Sequence, residues 1–184
     1  MLVEGVRVPG KVRRIVTAVN EAGRSYILSD MRLPTADVAP GEAVRAGVWL
    51  TDSAPASNQG THDPVPDGVI TPIGPQHRGG TVIRIVDILP DRVAPRDPRE
   101  FPARGGHTTP DRSAKHPGYH MTDTVDCAVC LEGEIWAMLD ENETLMRPGD
   151  VLVQRGTYHA WSNRSDAPAR MLFVLIDAEP LDSH

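Results

Sequence analysis

Between residues 125 and 176 apolar stretches follow one another at short intervals, each closed by a turn-forming cluster. They cover 125–131, 134–139, 144–147, 151–154, 160–163 and 171–176. The breaks are Glu132-Gly133, Asp140-Glu141-Asn142, Pro148-Gly149, Arg155-Gly156 and Ser165-Asp166. Runs of this length at this spacing predict antiparallel strands that close into a barrel or sandwich. The Gly 16 and Pro 17 of the chain fit strands joined by turns and are high for a helical bundle.

The rest of the chain agrees. Residues 81–89 read as a strand stopped by Pro90-Asp91. Residues 12–19 and 24–29 read as strands around the turn Asn20-Glu21-Ala22-Gly23, and 44–51 as another. Residues 52–79 are dense in Pro, Gly, Asn, Asp and Ser and read as loop. Residues 91–118 read as one long Pro- and Arg-rich loop, of the kind that is functional or disordered. A short helix is admissible only within 31–45. The expectation is an all-β chain: a strand-rich N-terminal extension over 1–78, packed on the barrel or on a partner subunit, and a barrel over 79–178.

Length and charge narrow the function. A chain of 184 residues suits one domain with an extension. A formal net charge of −6 argues against non-specific nucleic-acid binding and against an anionic membrane surface. No apolar run approaches the ~18 residues of a spanning helix, and the N-terminus lacks the apolar core of a secretory signal, so a cytoplasmic location is expected. Two cysteines do not make a disulfide framework.

The polar chemistry concentrates in two segments. One is His120-Met121-Thr122-Asp123-Thr124-Val125-Asp126; the other is Gln154-Arg155-Gly156-Thr157-Tyr158-His159-Ala160-Trp161-Ser162-Asn163. In an extended segment residues two apart share a face, so His120, Thr122, Thr124 and Asp126 line up. His159, on a neighbouring strand, can meet them. Two imidazoles and one carboxylate can hold a divalent metal with open positions. The same groups can equally form a buried hydrogen-bond network with ordered water.

These segments resemble the two motifs of the cupin superfamily. The first keeps the frame His120-x-Thr122, three residues, Asp126, six residues, Gly133. The second keeps Gly156, His159 and Asn163, with Gln154 where proline is usual. Gly47-Val48-Trp49-Leu50-Thr51-Asp52, the run 78–87 and the run 173–177 extend the resemblance to small single-barrel cupins of bacteria and fungi. Some fungal members are described as cupin-domain oxidoreductases and sit among secondary-metabolite genes. The resemblance implies a cupin-type antiparallel barrel (jelly roll) and an enzyme acting on a small organic substrate, aromatic or polyketide-like.

It also implies a metal site, altered here. Thr122 stands where a second histidine is usual and Asp126 where a glutamate is usual. The implied ligands are His120, Asp126 and His159, a set that suits Fe(II) ahead of Mn(II), Ni(II) or Zn(II). Asp126, His159 and Thr122 are the implied catalytic groups. A non-redox lyase, isomerase or cyclase, or a metal-free binding protein, are the competing readings, since cupins host many chemistries. His107 and His116 in the long loop are candidates for an extra ligand or for plain solvated side chains.

Arg84, Gln154, Tyr158 and Trp161 are expected to shape the substrate pocket. Cys127-Ala128-Val129-Cys130 has C-x-x-C spacing but lies in a strand, where residues three apart point to opposite faces. It reads as packing rather than redox chemistry. Asp150 reads as turn chemistry, and Trp49 and Trp136 as core or interface anchors. Exposed strand edges would need covering, so a homodimer is expected.

Overall fold

The computed structural model describes residues 11–33, 44–70, 74–93 and 110–181. Ten strands and one short helix run through them. β1 (Arg13–Val19) and β2 (Ser25–Arg32) form a hairpin. β3 (Val44–Thr51), β4 (Thr81–Ile88) and β5 (Thr124–Glu132) follow, with α1 (Pro110–Lys115) between the last two. Then come β6 (Ile135–Leu139), β7 (Glu143–Met146), β8 (Val151–Arg155), β9 (His159–Ser162) and β10 (Ala169–Asp177).

Two antiparallel sheets make the barrel. One has the order β3-β4-β10-β5-β8, the other β7-β6-β9. β10 lies between β4 and β5, and in its ladder with β5 Leu175 pairs with Asp126 and Phe173 with Ala128. Alternate residues of β5 and β10 are buried, as a period of two requires. Val82, Ala128, Ile135, Met171 and Leu175 lie among the core residues between the sheets. The turn from β5 to β6 needs a glycine: Gly133 has φ 75°, and a Cβ there would stand 2.8 Å from the Pro168 carbonyl.

The strand-rich reading holds, with three differences. β3 lies inside the interval expected to be an extension, yet it pairs with β4 and belongs to the barrel's larger sheet. The N-terminal hairpin alone stands as a separate sheet. It is fixed by Arg14, which is buried, donates to the Val65 carbonyl at 2.8 Å and pairs with Asp63. Third, the segment read as one continuous loop contains α1, which starts at a proline suited to a first helical turn. Of that segment, 94–109, with His107, lies outside the described residues, as does 34–43, where the admissible short helix mostly falls.

Candidate functional site

The centre of the site is a backbone bridge between His120 and His159. The His120 N–H donates to the His159 carbonyl at 2.9 Å, and the His159 N–H returns the bond at 3.0 Å. Directly opposed antiparallel residues carry their side chains on one face. The two imidazoles therefore stand together, ring centroids 4.4 Å apart.

Each ring is pinned the same way. His120 Nδ1 lies 2.8 Å from the Gly118 carbonyl and His159 Nδ1 lies 2.9 Å from the Thr157 carbonyl. A carbonyl only accepts, so each Nδ1 carries the proton and each Nε2 keeps its lone pair. Burial lowers both pKa values. His159 falls to about 3, driven by burial and then by the neighbouring His120. His120 moves the same way, by burial and by the charge of Arg84, against the Gly118 hydrogen bond. At neutral pH this is a pair of uncharged imidazoles with fixed tautomers.

A polar rail runs along the inner face of β5 and the residues before it. The Thr122 and Thr124 hydroxyls are 2.7 Å apart and both residues are buried. Asp126 is buried next along the same face, and its Oδ1 has no hydrogen-bond partner. Burial raises the Asp126 pKa, with the Thr124 hydroxyl and the Arg84 charge opposing. A carboxyl in such a place holds its proton further up the pH scale than an ordinary aspartate.

The apolar wall is Trp161 and Phe173. Trp161 meets His159 edge-on at 5.8 Å between centroids and Phe173 at 5.3 Å. Phe173 pairs directly with Arg84 across the β10–β4 ladder. The inner face thus carries the imidazole pair, an aromatic wall, a hydroxyl pair and a carboxyl.

Several expected residues fall differently. Among the described residues no three His, Cys, Asp or Glu side chains gather as a metal-holding group. Asp126 lies two positions beyond Thr124 on the same face of β5. Tyr158 lies beneath the Arg112 guanidinium, 3.7 Å from ring centroid to Cζ. The same guanidinium grips Asp140 at 2.8–3.1 Å, so Tyr158 helps seat α1.

Gln154 is buried and opposes Asp126 on β8, but its amide donates to Thr157. It supports the turn before His159. His116 Nδ1 accepts from the Gly118 N–H at 3.1 Å, and its Nε2 is 3.8 Å from Asp91. The two cysteines are free, Cys130 buried and Cys127 half-buried on the opposite face. Asp150 accepts from the Arg147 N–H at 2.8 Å, the expected turn bond. Trp136 carries Arg164 on its outer surface, 4.7 Å from its centroid.

One contributor was missed in the sequence. Phe173 depends on which strand pairs with β4 and β5, and no local pattern carries that.

Comparison with known proteins agrees with this architecture. Residues 106–175 match the family model described as Cupin domain. The cupin-domain-containing oxidoreductase fogC of Aspergillus ruber is 30% identical over 172 residues, 91% of this chain and 73% of that protein. Phomopsin biosynthesis cluster protein C' of Diaporthe leptostromiformis is 39% identical over 114 residues, 61% of this chain. The chain spans about half the length of that protein and of phomopsin cluster protein D, 48% in each case. Among solved structures, a putative ethanolamine utilization protein from Salmonella typhimurium aligns over 93% of this chain and 100% of that one, with TM-score 0.43 and 11% identity. The all-β barrel, the spacing of its two motif segments and the extended match to fogC make this chain a member of the cupin superfamily.

Proposed function

We propose that this cupin is an enzyme acting on a small organic substrate inside the barrel, with oxidoreductase chemistry at a divalent ion held by His120 and His159. The observation that carries the reading is the pinned imidazole pair: two neutral rings side by side, each Nδ1 spent on a carbonyl and each Nε2 free to ligate. The donor set fits a divalent transition ion as two of its ligands, leaving the remaining positions for solvent and substrate. Fe(II) is favoured over Mn(II), Ni(II) or Zn(II). When bound, such an ion supplies a Lewis acid and, as iron, a partner for dioxygen.

The chain's own residues would do the rest. Trp161 and Phe173 exclude water from one side of the imidazole pair and offer a wall to a planar substrate. The Thr122 hydroxyl, held by Thr124, orients an oxygen of substrate or solvent. Asp126 holds or accepts a proton at Oδ1, the atom with no internal partner. The relatives' names point toward small-molecule biosynthesis: one is called an oxidoreductase and two are named for a phomopsin cluster.

A second reading has a specific observation behind it. Asp126 is buried with an unpartnered Oδ1 and a raised pKa, which suits a general acid or base in a non-redox isomerisation, dehydration or decarboxylation. The experiment is metal content of tag-free protein beside His159→Ala, before and after anaerobic Fe(II) loading. About one ion per chain in the parent and loss in the variant supports the metal-dependent reading. No ion in either state sinks it and leaves the acid–base reading.

A further inference from the structure

The carbonyl that pins His120 belongs to a turn over residues 116–119, which runs from the end of α1 to the imidazole pair. The His116 N–H donates back to the Arg112 carbonyl at 3.2 Å, so the turn begins on the helix. His116 then holds the peptide groups on both sides of Gly118. Its Nδ1 accepts from the Gly118 N–H at 3.1 Å, and its backbone carbonyl accepts from the Tyr119 N–H at 3.0 Å. The Tyr119 N–H and the Gly118 carbonyl are opposite ends of one planar peptide group. With the N–H end held, the carbonyl end meets His120 Nδ1 at 2.8 Å.

The residues between suit this arrangement. Pro117 fixes its own φ and brings no competing N–H. At Gly118 a Cβ would stand 3.1 Å from His116 Nδ1, so a larger residue would press on the ring. The far end of the ring is seated as well. An accepting Nδ1 carries no proton, so the ring's proton sits on Nε2. That nitrogen faces Asp91 Oδ1 at 3.8 Å, too long for a hydrogen bond but close enough for electrostatic attraction. Asp91 in turn accepts from the Ser162 hydroxyl at 2.6 Å and from the Asn163 N–H at 3.0 Å, at the end of β9. His116 thus stands between a carboxylate fixed to the strand of His159 and the turn that fixes His120.

We propose that His116 is a positioning residue for His120. By holding the Gly118 turn it keeps the His120 Nδ1–H on the carbonyl, and so keeps the Nε2 lone pair presented to the site. Ligating and reacting imidazoles are oriented through their second nitrogen; here that contact has a side chain of its own behind it. The inference rests on the reading that the imidazole pair is the working centre. His159 supplies an internal control, because its carbonyl, that of Thr157, is supported by Gln154 and not by His116.

The test is long-range proton–nitrogen NMR correlation on the isotope-labelled, metal-free full chain at neutral pH, which distinguishes the protonated from the bare nitrogen of each ring. His120→Gln and His159→Gln assign the two rings. In the parent both are expected in the single Nδ1–H form. His116→Phe keeps a ring and removes the acceptor. It is expected to move the His120 nitrogens toward the average of two tautomers while those of His159 stay in place. His116→Ala serves if the phenylalanine variant does not fold. His116→Asn puts an accepting Oδ1 where Nδ1 was, within reach of the N–H two residues on, and is expected to restore the parent pattern. A mixed His120 tautomer in the parent overturns the inference. So does an unchanged His120 in both acceptor-free variants, an equal shift at His159, or an asparagine variant no better than phenylalanine. The protein is metal-free throughout, so the tautomers decide the role of His116 whether or not the metal analysis supports a bound ion.

Discussion

β5 presents two different surfaces from one run of nine residues. Its inner positions are Thr124, Asp126, Ala128 and Cys130, all buried; its outer positions are Val125, Cys127, Val129 and Leu131, half-buried or exposed. A sheet with one wet face usually puts apolar groups inside and polar groups outside. Here the first inner positions are polar and the outer ones aliphatic. Barrel packing explains only the far inner end, where Ala128 and Cys130 join the core. The polar inner end is the hydroxyl pair and carboxyl of the candidate site, and the outer side is aliphatic beside the exposed Val151 and Val153. The inversion shows that burial and polarity are assigned separately along one strand, each by what faces it.

That contrast can be broken from either side, and the largest effect should come from the imidazole pair. His159→Ala is expected to abolish metal uptake, read by mass spectrometry of loaded protein, while Val151→Thr leaves uptake unchanged. Equal uptake by both variants would remove any division of labour between the faces.

Next in size are the core positions. Met171→Ala, at a fully buried residue, should cost about 2–5 kcal/mol in chemical denaturation, because the removed atoms leave a cavity. Phe173→Ala should cost about 3–5 kcal/mol and also strip His159's aromatic wall by displacing Trp161.

The titrating groups come third, and the two kinds act with opposite sign. The folded pKa values of His120 and His159 lie below the ordinary value of 6.5, so the unfolded chain binds more protons. Stability is full above 6.5 and falls as pH drops from there toward about 3. His159→Ala should flatten that acid limb in melting curves. Asp126 has a folded pKa above its ordinary 3.8, so the folded chain binds more protons and ionisation costs stability as pH rises through the folded value. Asp126→Asn should stabilise near neutral pH by about 1–3 kcal/mol, the scale of an unpaired buried polar group. The gain should vanish below pH 3.8. A gain that is independent of pH would mean that the carboxyl titrates alike in the folded and the unfolded chain.

Smallest is the outer face itself. Val151→Thr should change the stability of the monomer by no more than about 0.5 kcal/mol, since the side chain is 60% exposed. A larger loss in monomeric protein would show that the face is already covered within the chain.

Much of this was legible in the residues. Strand positions over 125–176 followed from short apolar runs between Gly-, Pro- and Asp-bearing turns, because a turn needs those residues wherever it lies. Alternation from Asp126 back to Thr122 placed those side chains on one face without knowledge of the partner strand. His120 and His159 were legible as a pair through the motif spacing. The seating of Tyr158 under Arg112 was not legible, because α1 lies in a segment whose composition reads as loop.

What the sequence by itself determined was therefore local: strand identity, turn chemistry and the face each residue takes, all consequences of backbone geometry within a few bonds. What only the tertiary structure decided was register and neighbourhood. His120 bridges to His159, Phe173 reaches Trp161, and β3 joins the barrel's own sheet. Ladder pairing between strands tens of residues apart is fixed by the packing of the whole barrel, and slipping it by one residue would exchange the two faces of every strand.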